Sequence, residues 1–301
     1  MLIKRIIVSL MAFVSIFTAR SGAKYADNYA DHEFPIIEAE SQSPDTTRIM
    51  SYNIRCADVN GVGVKDRLSI GVRQILEVMP DSLGIQEATP EWMKKLNISL
   101  PMYGWVGIER DGGGSPMSGG ESCPIFYLKT KFKLLDSGNF WLSETPDEPS
   151  FGPGAACRRI CTWVKLQDRK TGEVLVHVNT HYDHVSEEAR RAGAEIVIRF
   201  IEENFAGLPV VFTADMNTRE GSAAYNTMMT VFSDAGKIAA DAVGTGTFHG
   251  GNPETHADAT IDFVLCSAGI KADTYRVVTK GVDGRFTSDH FPIYADLRIG
   301  E

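Results

Sequence analysis

The sequence predicts an α/β fold, on three observations. A strand, helix, strand, helix order opens the folded part of the chain near residue 48. Later candidate strands are short and apolar, and several end in a polar residue. Apolar residues make up 43% of the 301, ample for one core, and no Pro/Ser-rich linker, low-complexity run or internal repeat divides the interior. One compact domain, residues 47–301, is therefore expected.

Ahead of it, Lys4 and Arg5 precede an apolar run from Ile6 to Phe17, broken only by Ser9 and Ser15, and small residues follow. Residues 1–23 read as a secretion signal, with an uncleaved anchor as the alternative. The run falls short of the ~20 apolar residues of a membrane span. Residues 24–46 are polar and acidic and read as a flexible leader. The expected location is secreted, periplasmic or cell-surface.

Arg48–Arg55 alternates apolar and polar residues as a strand does, with Asn53 near its end. Asp66–Val78 places Leu68, Val72, Ile75 and Leu76 at helical spacing, and Pro80 stops it. Ser82–Gln86 is a short strand with Glu87 at its end. Pro90 opens a helix over Glu91–Leu96, where its missing N–H is tolerated. Gly104–Glu109, Pro124–Leu128 and Lys133–Leu142 are the next strands. The glycine-rich run Asp111–Gly120 is either a mobile loop or a backbone cradle for phosphate. It lacks the Lys-Ser/Thr ending of a P-loop.

Ile160–Gln167 and Glu173–Asn179 read as a hairpin whose second strand delivers His181, Asp183 and His184. Ser186 caps a long helix with Ala189, Ala192, Gly193, Ile196 and Phe200 on one face. Pro209–Ala214 is a buried strand running into Asp215-Met-Asn217. A short helix over Ala223–Val231 and a loop through Thr247-Phe-His-Gly250 follow. The strands Thr260–Leu265, Lys271–Val278 and Pro292–Arg298 close the set.

A net charge of −9 with no basic stripe argues against tight non-specific duplex binding. It leaves room for a small phosphate ester held by a metal. Five cysteines, none in a CxxC pair, give no disulfide framework and read mostly as small buried apolar residues.

The polar strand ends carry the chemistry. They are Asn53, Glu87, His181, Asp215 with Asn217, and Asp289-His290 before the last strand. Asp262 falls inside an apolar strand, where a lone carboxylate is costly unless paired. His290 is its natural partner, and an Asp behind a His fixes the tautomer and raises basicity. A hard cation such as Mg2+ wants one or two carboxylates and keeps several waters. Glu87 can supply a carboxylate and Asn53 a neutral oxygen, while histidines can donate to phosphate oxygens or to the leaving group. Each residue has a plainer reading too. Glu87 suits a helix N-terminus, and Asn53 and Asp215-Met-Asn217 suit turns.

The series Ser51–Arg55, Ile85–Glu87, Asn179–His184, Thr213–Asn217, Ile261–Leu265 and Ser288–Pro292 resembles the endonuclease/exonuclease/phosphatase superfamily, over about residues 47 to 299. The resemblance implies a four-layer sandwich of two packed mixed β-sheets flanked by helices. It implies metal-dependent hydrolysis of a phosphate mono- or diester by water attack, with Mg2+ or in its place Mn2+. Asn53 and Glu87 would hold the metal and Asp289 would support it. Asp215 would orient or deprotonate the water, and Asn217 would position it or the phosphate. His181 would contact the phosphate, and Asp262 would pair with His290, which binds phosphate or acts as acid/base. Glu121 either holds His181 or is a solvated loop residue. Arg159 is a phosphate clamp or a surface ion pair, and Asp183 and His184 have no assigned role. The expected partner is a phosphate-ester substrate, be it small molecule, lipid headgroup or nucleic acid, bound by a monomer.

Two other readings compete. His181-Tyr-Asp183-His184 matches half of the motif of dinuclear zinc hydrolases of the metallo-β-lactamase type. Asn179 takes the place of that motif's first histidine, and zinc wants more nitrogen ligands than remain. A binding protein that kept the fold but lost catalysis is the other, although every matched position is filled.

Overall fold

The structure, a computed structural model, describes residues 39–244, 246–254 and 259–300. The expected signal and residues 24–38 of the expected leader lie outside the described residues. The rest of that leader lies on the domain. Glu40 N donates to Glu77 O, and Arg48 donates to Glu40 O and Ser41 O.

Two mixed sheets form the centre. In the first, β10 (Asp241–Val243), β12 (Lys271–Val277), β13 (Ile293–Arg298), β1 (Thr47–Asn53), β2 (Ser82–Gln86), β4 (Ile125–Leu128) and β3 (Tyr103–Val106) lie side by side in that order. In the second the order is β5 (Phe132–Trp141), β6 (Ile160–Asp168), β7 (Val174–His181), β8 (Val210–Asp215), β11 (Asp262–Ser267) and β9 (Phe232–Asp234). β1 and β2 run parallel, as do β7 and β8, and β11 is antiparallel to β8.

Strand periodicity sets the layers. Along β1, Ile49 turns inward to Val211 of β8 and Val264 of β11, whereas Met50 and Tyr52 turn outward. The outward face is covered by α1 (Val64–Val78) and α2 (Pro90–Ser99) through Val72, Ile75, Trp92 and Leu96. α3 (Glu187–Phe205) and α4 (Ala223–Met228) cover the far face of the second sheet through Ala194, Val197, Ala224 and Met228. Helix, sheet, sheet, helix is the expected four-layer sandwich. Ser186 caps α3, accepting from Ala189 N.

Three elements have no counterpart in the sequence reading: β9, β10 and α5 (Ala235–Ile238). β3 also stops short of the expected Glu109. That residue sits in a loop, and its carboxylate accepts from Asp111 N, Gly112 N and Gly114 N at 2.7, 2.6 and 3.2 Å. The glycine-rich loop is thus neither free nor a phosphate cradle. Its amides already hold an internal anion. All five cysteines are free, and three of them, Cys123, Cys161 and Cys266, are buried.

Candidate active site

The topology carries the polar strand ends to one rim. The parallel pairings set Asn53 beside Gln86 and His181 beside Asp215. β11 runs the other way, so it is its first residue, Asp262, that stands opposite Asp215. Residues 288–290 precede the likewise antiparallel β13 and reach the same rim. Asn53, Glu87, His181, Asp215, Asp262, Asp289 and His290 are all buried.

On one side, Asn53 Nδ2 donates to Glu87 Oε1 (3.0 Å) and Asp215 Oδ2 (2.8 Å). Its Oδ1 accepts from Arg55 N (3.0 Å), so the amide oxygen expected to face a cation is turned to the backbone. Cys56 N donates to Glu87 Oε2 (2.8 Å). Burial works against ionisation of Glu87, but the donors from Cys56 and Asn53 outweigh it and hold the carboxyl below the usual carboxylate range. Arg55 bridges two carboxylates, its guanidinium 3.9 Å from Glu87 and 3.5 Å from Asp289. The spot between Glu87 and Asp289 therefore takes positive charge. Their hard oxygens, with that of Asn53 once its amide is turned, fit Mg2+ or Mn2+.

On the other side, Asp215 Oδ2 lies 3.4 Å from His181 Nε2 and 3.6 Å from His290 Nε2. His290 Nδ1 donates to Asp262 Oδ2 at 2.9 Å. Burial alone would lower the His290 pKa, but Asp262 and Asp215 together raise it to about 10, so His290 is an imidazolium. Burial, then the nearby Asp262 charge, lift Asp215 to about 7. His181 goes the opposite way. Burial, with Arg159 and Arg110 adding to it, drives its pKa well below the usual value. The neutral ring accepts from Asn217 Nδ2 at 2.7 Å, and Asn217 N donates to Asp215 Oδ1 at 2.8 Å. The two histidines thus have different jobs: one is a cation, the other a neutral base or donor.

Backbone conformation marks the same place. Arg55 (φ 60°), Glu87 (φ 61°) and Asn217 (φ 48°) all sit in the left-handed region that non-glycine residues seldom enter.

Glu121 departs from expectation. Its carboxylate takes both arms of Arg110, at 2.6 and 3.1 Å, while His181 is held by Asn217. An Arg–carboxylate fork holds it in position. Glu121 still lines a narrow cleft with Glu87, Arg110, Arg159 and His181. Arg159 is not a surface residue. It is 5% exposed, its Nη2 donates to His184 Nδ1 (2.9 Å), and its Nε and Nη1 have no hydrogen-bond partner. Asp183 spends its oxygens on Ala156 N, Val185 N and Ser186 N. Asp183 and His184 share Arg159, at 3.7 and 2.9 Å, whereas His181 goes to Asn217 and Asp215, so the three residues of the dinuclear zinc half-motif do not converge on one point. Sequence reasoning missed Arg55 and Arg110, because a lone arginine beside a strand end looks like any surface charge.

A family model described as the Endonuclease/Exonuclease/phosphatase family matches residues 50–290. No curated protein matches the chain. Among solved structures, an endonuclease/exonuclease/phosphatase of Bacteroides vulgatus is 35% identical, with a TM-score of 0.79 over 85% of this chain and 99% of its own. A mannosyl-6-phosphatase of Bacteroides thetaiotaomicron is 30% identical, with a TM-score of 0.78 over 83% of this chain and 99% of its own. The human Nocturnin catalytic domain, with bound sulfate, shares the fold at 17% identity and a TM-score of 0.67, over 85% and 95% of the two chains.

Proposed function

The chain belongs to the endonuclease/exonuclease/phosphatase family, and from that premise we propose that it is an exported, Mg2+-dependent phosphatase acting on a sugar phosphate. One observation carries the reading. Residues from six separate segments meet at one rim, where an imidazolium and a neutral imidazole each lie within 3.6 Å of one carboxylate of raised pKa, Asp215. The acidic balance of the chain supports a small ester over a nucleic-acid polymer. The mannosyl-6-phosphatase relative supports a sugar as the alcohol. The basic-then-apolar N-terminus supports export.

In this reading Glu87 and Asp289, with the Asn53 side chain beside them, would hold Mg2+, which would polarise a phosphoryl oxygen when bound. Asp215 takes a proton from water placed by Asn217, since a carboxylate with a pKa near 7 is a competent base. His290, kept protonated by Asp262, binds a phosphate oxygen as a fixed positive charge. His181, 3.4 Å from Asp215 and lining the cleft with Arg110 and Arg159, serves the leaving oxygen. Arg159 has donors to spare inside the cleft and clamps phosphate there.

The test is a screen of phosphate mono- and diesters with EDTA, Mg2+, Mn2+ or Zn2+. Hexose phosphates should be turned over with Mg2+ or Mn2+ and not with EDTA. Glu87→Gln, His181→Ala and His290→Ala should each lower kcat/KM by about a hundredfold or more. Normal turnover by His290→Ala would remove that residue from the mechanism. Activation by Zn2+ alone would overturn the Mg2+ assignment.

A further inference from the structure

Arg67 is 0% exposed and stands in the first turn of α1. Three things make an arginine unfavourable there. A buried guanidinium gives up its water. The N-terminal end of a helix disfavours a cation. No carboxylate pairs with it either, for its partners are four backbone carbonyls and the ring of Trp92, 5.9 Å from its Cζ. Arg48 and Arg159, the other buried arginines among the described residues, differ. Arg48 is held by both oxygens of Asp296, at 2.7 and 2.9 Å, and Arg159 lies 3.7 Å from Asp183.

The four carbonyls belong to two segments. Nη1 donates to Ile54 O (3.2 Å) and to Thr287 O, and Nη2 donates to Arg55 O (3.2 Å) and to Ala57 O. Successive carbonyls of a strand point to opposite sides, and the left-handed turn at Arg55 lets those of Ile54 and Arg55 face one guanidinium. The first segment leaves β1 directly after Asn53. Its Arg55 N donates to Asn53 Oδ1 and its Cys56 N to Glu87 Oε2, at 3.0 and 2.8 Å. The second segment reaches Asp289 two residues after Thr287. One side chain therefore joins the stretch that holds Glu87 to the stretch that carries Asp289. We propose that Arg67 is a positioning residue for the metal, whose fork sets the separation of Glu87 and Asp289 and with it the affinity for Mg2+. The proposal rests on the Mg2+ reading above. Mg2+ demands near-ideal octahedral geometry at short distances, so the spacing of its ligands governs how tightly it is held. A lysine keeps the charge of Arg67, but its single ammonium head cannot span carbonyls from both segments.

The experiment compares the full chain with Arg67→Lys and Arg48→Lys. Arg48 also clamps backbone, at Glu40 O, Ser41 O and Val78 O, but at the far end of β1 from the rim. Its variant therefore reports what the loss of a buried fork does to stability alone. Titration calorimetry should show Mg2+ binding about tenfold weaker in Arg67→Lys, and unchanged in Arg48→Lys although both melt earlier. Wild-type affinity in Arg67→Lys overturns the proposal. So does an equal weakening in the two variants, which lost stability alone explains. Hydrogen exchange in EDTA needs no metal. Residues 54–57 and 287–290 should lose protection together in Arg67→Lys and keep it in Arg48→Lys, and full protection in Arg67→Lys removes the clamp. Should Arg67→Lys not fold, native-state exchange of wild type decides, because the two segments must then open as one unit and separate opening sinks the idea. If wild type binds no Mg2+, the metal reading fails and the affinity claim with it, while exchange still decides whether Arg67 joins the two segments.

Discussion

His177 shows how one buried side chain sets the acid limit of the fold. Its ring lies between the sheets, with Nδ1 2.7 Å from Ser82 Oγ and Nε2 2.8 Å from Thr213 Oγ1. Burial pushes its pKa down to about 3, so the folded protein keeps it neutral. The unfolded chain takes up a proton near pH 6.5. Between those values the unfolded state binds more protons. Stability is therefore complete above about pH 6.5 and is lost as pH falls toward 3, by up to about 1.4 kcal/mol per unit for this residue. His249, whose pKa burial lowers to about 4, acts in the same direction. The urea midpoint should decline from pH 6.5 to 4, and His177→Gln, which can still serve both hydroxyls, should make the decline shallower by about one proton. An unchanged slope would take His177 out of the linkage. Residues like this were hard to see in the sequence: His177 sits in an apolar strand and looks like a spacer. Asn53, Glu87, Asp215 and His290 were legible because each interrupts an apolar run at a strand end. The partner of Glu121 was left open between His181 and solvent because Arg110, eleven positions earlier, carries no pattern.

At the scale of the strand, β2 explains why the two sheets can share a polar seam. Asn179 Nδ2 donates to Ile85 O (2.8 Å), Gln86 Nε2 donates to Asn179 Oδ1 (2.7 Å), and Thr213 Oγ1 donates to the same oxygen (3.0 Å). These bonds tie β2 of the first sheet to β7 and β8 of the second, just below Glu87, His181 and Asp215. Gly84 makes room for them. A Cβ there would stand 2.1 Å from Thr213 Oγ1 and 2.5 Å from Asn179 Oδ1. Gly84→Ala should therefore cost about 2–3 kcal/mol by overpacking, and more turnover than the stability loss explains, because it pushes apart the strands that carry the site. Equilibrium denaturation and kcat measured below the melting transition check this. A stability loss under about 0.5 kcal/mol would mean that the seam yields without strain. The long elements were readable because period 2 or 3.6 persists over many residues in α1, α3, β6 and β7. β9, β10 and α5 span only three or four residues each. Their sequences hold too few repeats to show a period, and it is pairing with β11 and β12 that makes β9 and β10 strands.

For the molecule as a whole, the balance of charge around the rim matters more than any single contact. Glu87, Asp215, Asp262 and Asp289 converge there in a chain already at −9, with Arg55 and His290 as the counter-charges in contact with them. Like charges brought together on folding lower stability, and a cation that binds only the folded state restores it. A divalent ion at about a hundred times its Kd adds about 2.7 kcal/mol. For a domain of this size that is a rise in Tm of about 5 °C or more. Mg2+ should give this rise over EDTA, and KCl at equal ionic strength should not, since general screening is weak for buried carboxylates. Glu87→Gln separates site from surface. It removes a carboxylate that its neighbours hold ionised, so its Tm in EDTA should not rise above that of wild type, while most of the Mg2+ response disappears. Equal melting shifts with Mg2+ and KCl, or a full Mg2+ response in Glu87→Gln, would move the ion away from the rim, and with it the reason for so many separate segments to meet there.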